Sequence, residues 1–460
     1  MNACMKTVSP QIIPRSEHPI SRALINPNAL KILYRLKDNG FTAYLVGGCV
    51  RDLLLGREPK DFDVVTDATP GQIKRLFRNC RLVGRRFRLA HLHFADGIIE
   101  VATFRATTQD EPEPEEEGPA AGQEEAEPRR QPQQVKSEEG MLLRDNLFGT
   151  PEEDAWRRDF TVNALFYNIA DFSIVDYVGG LADLRRGVIR TIGEPSQRFT
   201  EDPVRMLRAV RFAAMLGFQV EDNAWSAIAG MAETIARAAP PRLYEEVLKL
   251  LLLGAGEKTY QLLRQSGLLA PLFPHFSAWL GEETAGFPHT WGSKALAWVD
   301  EQIAAGGTVS APLFMALLFG QYLTEKGERF RGKGSPHQQS IDLALAEFLG
   351  ETVPVVSIPA RVGGQIRDIL AVQLRLKKVP GRKPEAVVTR PAFSDALAYL
   401  RFSSRVTAKG GETLAWWEQF SEQHRTALPG PKEAPASGGG RPRRRRRRRK
   451  GKEGGDGNIS

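Results

Sequence analysis

The chain has 460 residues, 42% of them hydrophobic and 26% charged, with a net charge of +8; this is the make-up of a soluble globular protein of two to four domains. No uninterrupted apolar run of transmembrane length and no signal-peptide pattern occur, which speaks against a membrane-spanning or secreted chain. Its three cysteines, Cys4, Cys49 and Cys80, form no Cys-x-x-Cys pair, so neither a disulfide framework nor a zinc site is indicated and a reducing, cytoplasmic setting is expected.

The charge is unevenly placed. Residues 430–460 carry about 11 Lys and Arg against about 3 acids, dominated by Arg443 to Arg449 and Lys450, while residues 110–139 carry about 11 acids against about 3 bases. The two segments offset each other, so the remainder is basic in its own right, as expected of a protein that handles a polyanion.

In chain order, residues 1–27 show no periodicity and read as an arm. Ala29 to Asn39 reads as a helix with Asn28 as its cap, followed by a strand at Thr42 to Val46, a turn at Gly47-Gly48, a short helix at Val50 to Leu55 and a second strand at Asp61 to Thr66. Thr69-Pro70 opens another helix, and strands are expected at Arg81 to Val83, Ala90 to Phe94 and Ile98 to Phe104. The stretch 107–140 is rich in Glu, Pro, Gln and Gly and is expected to be a disordered insertion. Order resumes through Phe160 to Ile169 and Phe172 to Val178, and Val188 to Ile192 reads as a last strand. From Asp202 onward the pattern is helical, with a break at Pro240-Pro241 and a strongly apolar helix at Leu243 to Leu253. The fold class is therefore α+β, with one N-terminal sheet domain followed by all-α domains. The expected boundaries are an arm at 1–27, a head at 28–195, a helical neck at 196–275, a helical body at 276–425 and a disordered Arg-rich tail at 426–460.

The chemistry concentrates between Tyr44 and Asp63. If Asp61 to Thr66 is a strand, Asp61 and Asp63 point to one face, and two carboxylates on one face require a positive counter-charge, for which a pair of divalent metal ions is the strongest candidate. The Gly47-Gly48 turn lets backbone N–H groups approach an anion, and Arg51, followed by Asp52, can add a bidentate phosphate contact. Glu100 stands in an apolar strand, where it could complete a three-carboxylate metal site, orient an attacking hydroxyl, or pair with Arg105 or another Arg. Arg85, Arg86 and Arg88 around Phe87, and Arg157-Arg158-Asp159 with Asn163, suit phosphate and ribose contacts. With Asp202 as helix cap, Arg205 and Arg208 share one helix face and could read a nucleobase edge, or form an ordinary salt bridge. Gly327 to Lys333 imitates a Walker loop but is followed by Gly334 and preceded by a helical pattern. The histidines lack metal-ligand spacing; His91 and His93 read as packing or substrate contacts.

The motifs Leu-Val-Gly-Gly-x-Val-Arg-Asp, Lys-Asp-Phe-Asp-Val, Arg-Arg-Asp-Phe-Thr-x-Asn and Glu-Asp-Pro-x-Arg-Met-Leu-Arg-Ala-x-Arg-Phe resemble the class II nucleotidyltransferases of the DNA polymerase β superfamily. That family comprises CCA-adding enzymes and bacterial poly(A) polymerases, and the resemblance runs from about residue 13 to 275. It implies a polymerase β-like head with one mixed or antiparallel sheet. By this likeness Asp61 and Asp63 bind two magnesium ions, Glu100 supports catalysis, and Gly47, Gly48 and Arg51 hold the triphosphate of ATP. Asp159 with Arg157 and Arg158 meets the ribose, Asp202 and Arg205 the base, and Asp52, Asn163 and Arg208 complete the nucleotide-binding set. Arg85, Arg86, Arg88, Arg443, Arg444 and Arg445 would contact RNA.

Leu-Val-Gly-Arg-Arg-Phe-Arg-Leu-Ala-His, Arg-Asp-Asn-Leu-Phe-Gly and the Arg-rich tail look like the poly(A) polymerase branch. The chain departs from the family pattern in its acidic insertion and in Cys49, where a third glycine is common; neither departure is expected to touch a metal ligand. The resemblance implies template-independent addition of AMP to RNA 3′ ends, with RNA and ATP as partners, RNA-decay proteins as candidate partners and no membrane. A CCA-adding enzyme is the close alternative and an idle RNA-binding protein the distant one.

Overall fold

The computed structural model describes residues 9–84, 89–106, 135–136, 142–144, 148–282, 288–331, 336–381 and 383–425. Its N-terminal part comprises β1 (Gln11–Ile13), α1 (Pro27–Asp38), β2 (Ala43–Val46), α2 (Gly48–Leu54), β3 (Asp63–Thr66), α3 (Pro70–Leu76), β4 (Cys80–Val83), β5 (Leu89–Phe94) and β6 (Gly97–Thr103). Two short strands, β7 (Val135–Lys136) and β8 (Leu142–Arg144), pair antiparallel. Then come α4 (Pro151–Trp156), β9 (Leu165–Asn168), β10 (Ile174–Asp176), α5 (Gly180–Arg186) and β11 (Val188–Ile189). Among the described residues one eight-stranded sheet has the order β1-β10-β9-β2-β3-β6-β5-β4. It is mixed, because β3 and β6 run parallel while the other neighbours are antiparallel.

Both faces of this sheet are covered, which explains the near-continuous apolar runs of its central strands. On one face Leu45, Val64, Val101 and Leu165 join the main core with Ile32, Leu33 and Leu36 of α1. On the other, Val46, Val65, Phe104, Phe166 and Val175 form a smaller cluster with Ala155 of α4.

Helices follow: α6 (Pro195–Glu201), α7 (Val204–Leu216), α8 (Asp222–Met231), α9 (Pro240–Leu251), α10 (Gly256–Gln265), α11 (Leu269–Leu272), α12 (Pro274–Gly281), α13 (Pro288–Ala304), α14 (Ala311–Arg331), α15 (His337–Thr352), α16 (Ala360–Leu376), α17 (Glu385–Val388), α18 (Phe393–Thr407) and α19 (Gly411–Arg425). Among the described residues one two-residue strand, β12 (Gln219–Val220), interrupts them. None of the described helices is long and apolar enough to cross a membrane.

Several local expectations need correction. Residues 9–27, read as part of an arm, supply the edge strand β1, bury Ile13, Ile20 and Ile25, and let His18 Nε2 bond the Phe172 carbonyl at 2.8 Å. The cap of α1 is Asn26, whose side chain accepts from Asn28 N and Ala29 N, with Pro27 as first helical residue. The strand expected at Val188 to Ile192 stops at Ile189 and pairs in parallel with β12, outside the main sheet. Pro240 and Pro241 start α9 instead of breaking the chain, since a proline in the first helical turn gives up no intrahelical hydrogen bond. The imitation Walker loop fails because Gly327 lies inside α14. The expected insertion falls outside the described residues over 107–134, and the β7–β8 pair begins before residue 140. The tail 426–460 also lies outside them.

Candidate active site

Asp63 is the first residue of β3 and pairs with Val46, the last of β2. The chain turns away at Gly47, so no strand partner exists for Asp61. Asp61 therefore sits in the loop before β3, and the strand alternation expected to align it with Asp63 does not apply. The two carboxylates are still close enough to repel: Asp63 is pushed up to about 6, first by desolvation, then by the charge of Glu100, with Asp61 adding and Arg158 opposing. The Asp63 side chain is open to solvent on one side, and desolvation comes from the protein crowding its other sides.

Parallel pairing of Val64 with Val101 sets Glu100 next to Asp63 across the β3–β6 ladder. Glu100 is half-exposed and meets His91 Nε2 at 3.3 Å; Arg105, named as its alternative partner, gives its backbone N–H to Asp154 and its charge also acts on that carboxylate. Cys49 overturns one expectation, since its buried thiol lies against Asp63 and is raised to about 12 by burial and by that carboxylate. Among the described residues no group of three or more His, Cys, Asp or Glu is spaced to hold a metal ion. Asp63, disfavoured as an anion by desolvation and by Glu100, with Asp61 close by, nonetheless suits a divalent cation that also takes phosphate oxygens.

Gly47 has φ +78 and ψ −137, a backbone state open to glycine and costly for other residues. A Cβ there would stand 3.6 Å from Arg158 Nη1, so the turn and this guanidinium face each other. Arg51 is buried; its Nε donates to Asp52 Oδ1 at 2.8 Å and its Nη1 to Asn163 Oδ1 at 2.7 Å. Asn163 Nδ2 donates to Asp159 Oδ1 at 3.3 Å, and Arg208 Nε donates to Asp159 Oδ2 at 2.7 Å. The structure thus joins Asp52, Arg51, Asn163, Asp159 and Arg208 into one network beside the Gly47-Gly48 turn. The guanidinium carbons of Arg51, Arg208 and Arg211 lie 5.2, 5.2 and 4.6 Å from the Phe212 ring, so one α7 aromatic supports three cations.

Burial alone would raise the Asp159 carboxyl, yet Arg208, with help from Asn163 and Arg205, holds it at about 2. A folded pKa below the ordinary 3.8 means that stability is present above about pH 4 and lost as pH falls through 2. Asp159→Asn should cost roughly 2 kcal/mol at pH 7 and flatten the acid limb of urea-denaturation stability between pH 2 and 5. An unchanged acid limb would mean that Arg208 gives Asp159 no net stabilisation.

Asp202 follows α6 as its C-cap and accepts from Val204 N at 3.2 Å, whereas the N-cap of α7, expected at Asp202, is Pro203. Arg205 Nη1 bonds Glu201 Oε2 at 2.9 Å, while Arg208 turns to Asp159. The three residues therefore serve different partners and form no single donor–acceptor edge. Arg85, Arg86 and Arg88, like Arg443, Arg444 and Arg445, lie outside the described residues.

Three participants escaped the sequence reading. Asp154 is 2% exposed; its Oδ1 accepts from Arg157 Nε at 3.2 Å and its Oδ2 from Arg158 Nε and Nη2 at 3.0 and 2.7 Å. Its position three and four residues before those arginines was a legible helical signal. Arg198 donates through Nη2 to the Arg157 and Arg158 carbonyls, both at 2.7 Å, and burial brings it down to about 10. Arg242 of α9 grips Asp202 bidentately at 2.7 and 2.6 Å; forty residues separate them, and no local pattern announces the pair.

A mixed sheet with paired aspartates beside a Gly-Gly turn, backed by an arginine-rich helical joint, defines a nucleotidyltransferase of the polymerase β type. A model described as the poly A polymerase head domain matches residues 43–190. Models described as a probable RNA and SrmB-binding site of polymerase A and as the polymerase A arginine-rich C-terminus match 217–280 and 333–451. The chain is 43% identical to poly(A) polymerase I of Salmonella typhi over 412 residues, 89% of this chain and 85% of that protein. Haemophilus influenzae poly(A) polymerase I is 42% identical over 89% and 87%. A CCA-adding enzyme of Bacillus velezensis is 34% identical over 56% of this chain and 59% of its own. In structure, the Bacillus stearothermophilus CCA-adding enzyme in complex with CTP superposes with a TM-score of 0.57 at 25% identity, covering 87% of this chain and 83% of its own. The chain belongs to the poly(A) polymerase I family, and it is a nucleotidyltransferase acting on a nucleotide substrate.

Proposed function

We propose that the protein extends RNA 3′ ends by adding AMP from ATP without a template, releasing pyrophosphate. One observation carries this reading: sequence similarity to poly(A) polymerase I runs over 89% of the chain, while sequence similarity to the CCA-adding enzyme of Bacillus velezensis spans 56%.

In the proposed reaction the RNA 3′ oxygen attacks the α-phosphorus in line, and the bond to pyrophosphate breaks. Asp61 and Asp63 would hold two magnesium ions, which when bound lower the hydroxyl pKa and offset charge on the leaving group. The Gly47-Gly48 turn, Arg51 and Arg158 bind the triphosphate, and Asp154 holds Arg157 and Arg158 in place. Asp159, locked by Arg208 and Asn163, accepts from the ribose. Asp202, held by Arg242, and Arg205 meet the base. Glu100, beside Asp63, orients the attacking hydroxyl. Arg85, Arg86, Arg88 and Arg443 to Arg445 contact RNA phosphates, a contribution that should fall steeply with salt.

The expected units are those read from the sequence: a head to residue 195, a neck at 196–275, a body at 276–425 and a tail. A cytoplasmic site of action in messenger-RNA processing, with RNA-decay proteins as partners, fits this activity.

The test is purified protein with Mg²⁺, one NTP at a time, and either a generic RNA primer or tRNA lacking its terminal CCA. Long heterogeneous A-tails on the generic primer are expected. Addition that stops after C, C and A on tRNA would replace this reading with CCA addition. Absence of any incorporation, matched by Asp61→Ala, would point to an idle RNA-binding protein.

A further inference from the structure

The apolar cluster on the second face of the sheet is built on β2, β3, β9 and β10. It reaches only Ala102 of β6 and Phe104 just beyond, and includes no described residue of β4 or β5. Strand alternation assigns the open remainder. Ile98 and Glu100 of β6, His91 and His93 of β5 and Arg81 of β4 share that face with Asp63, while Ala90, Leu92, Ile99 and Val101 turn to the main core. Pairing sets four of them in one row: Asp63 lies beside Glu100, Glu100 opposite His91, and His91 opposite Arg81. At the ordinary spacing of strands this row runs about 14 Å from Asp63 to Arg81. Ile98, opposite His93 and next to the row, is 52% exposed. Arg81 and Glu100 are exposed as well, and both histidines are half-buried. Arg81 forms no ion pair with a described residue.

The groups assigned to the triphosphate all lie on the other side of Asp63. In the sheet order β9-β2-β3-β6-β5-β4, the Gly47 turn follows β2, Asn163 precedes β9, and the Arg158 guanidinium carbon stands 5.4 Å from the ring of Phe166 in β9. An in-line displacement sets the attacking and leaving oxygens on opposite sides of the phosphorus. With pyrophosphate leaving toward β2 and β9 and the phosphorus at Asp63, the attacking 3′ oxygen has to arrive over β6, β5 and β4.

We propose that Arg81, His91, His93 and Ile98 form the seat of the 3′-terminal nucleotide of the RNA being extended. Arg81 would take the last phosphodiester, the imidazoles would bond ribose hydroxyls, and Ile98 would give the ribose or base an apolar contact. His91 Nε2 stands 3.3 Å from Glu100 Oε1, so the seat touches the carboxylate proposed to orient the attacking hydroxyl. Charge favours this occupant. The hydroxyl end of a strand is uncharged, so it can approach Asp63 and Glu100 while the phosphate behind it meets the cation. The proposal rests on the RNA-extending reading above and adds where the acceptor lies.

The test uses the full chain, without ATP, and two RNA oligomers of equal length that carry photoreactive thiouridine either as the last nucleotide or in the middle. After irradiation and digestion, mass spectrometry should find the terminal probe on residues 79–100 and the internal probe elsewhere. In steady-state extension of a short primer, Arg81→Ala should raise the KM for RNA roughly fivefold or more and leave the KM for ATP unchanged. A primer whose last linkage is an uncharged methylphosphonate should lose as much with the parent chain and nothing further with Arg81→Ala. A terminal probe that marks only other elements, or two probes that mark residues 79–100 alike, would give this face to another occupant and overturn the proposal. So would an unchanged KM for RNA in Arg81→Ala, an equal rise in the KM for ATP, or additive losses from the variant and the methylphosphonate. A protein that makes A-tails while its RNA terminus marks other elements sinks this proposal alone. One that incorporates no NTP while the terminal probe marks β5 and β6 sinks only the reading of its activity.

Discussion

Asp63→Asn is expected to reduce AMP transfer by about 10³-fold or more, equivalent to about 4 kcal/mol of transition-state stabilisation, while leaving the fold at least as stable at pH 7. The two effects have one cause. The folded protein raises Asp63 to about 6 from 3.8, so the ionised carboxylate is disfavoured there relative to the unfolded chain. That unfavourable contribution is fully present above about pH 6 and is relieved as pH falls toward 4. The open side of Asp63 screens it, so its size stays small. Asn removes the repulsion from Glu100 and Asp61 and with it the oxygen charge a divalent cation needs. The check pairs single-turnover incorporation with Mg²⁺ against thermal melting in EDTA at pH 5 and pH 7.5. A variant that melts lower at pH 7.5 and retains transfer would remove Asp63 from the site.

Asp154→Asn is expected to destabilise the protein by about 3 kcal/mol and to raise the dissociation constant for ATP at least tenfold. Asp154 is buried and holds two half-buried arginines, and losing the anion from such a cluster leaves positive charge uncompensated, at a cost near the lower end of the about 3–5 kcal/mol typical of a buried pair. Despite burial, Arg158 and Arg157 keep its carboxyl below the ordinary value, so it is a carboxylate at neutral pH. Arg158, released from the 2.7 Å contact, would no longer be held opposite Gly47. Measurements belong at a temperature where the variant is still folded, by calorimetric titration with ATP. Lower stability with unchanged ATP affinity would make Asp154 a purely structural residue.

Much of the head was legible because its signals are local. Alternating and continuous apolar runs foretold β2, β3, β5 and β6, and Thr69-Pro70 marked the start of α3, where Gln72 Oε1 accepts from Thr69 N at 2.8 Å. Boundaries failed where tertiary pairing overrides local preference. Asp61 looked like strand until the turn at Gly47 left it without a partner, and residues 11–13 had no periodicity because an edge strand of three residues is too short to show one. In the site, Asp61, Asp63, Gly47, Arg51, Asp159 and Asp202 stood in recognisable spacing. Arg198 and Arg242 did not, because their partners are brought to them only by the packing of α6 and α9.

By itself the sequence determined the chemistry on offer: two hard carboxylates, a glycine turn that admits an anion, an excess of arginine, and a basic tail. Those follow from residue type and short spacing, which any conformation of the chain would carry. Only the tertiary structure decided how they combine. Parallel pairing of β3 with β6 set Glu100 beside Asp63, and buried Asp154 with half-buried Arg208 and Arg242 assigned each charge its partner. The reason is that a buried charge must be compensated at hydrogen-bond distance, and which residue arrives at that distance is a property of the packed fold.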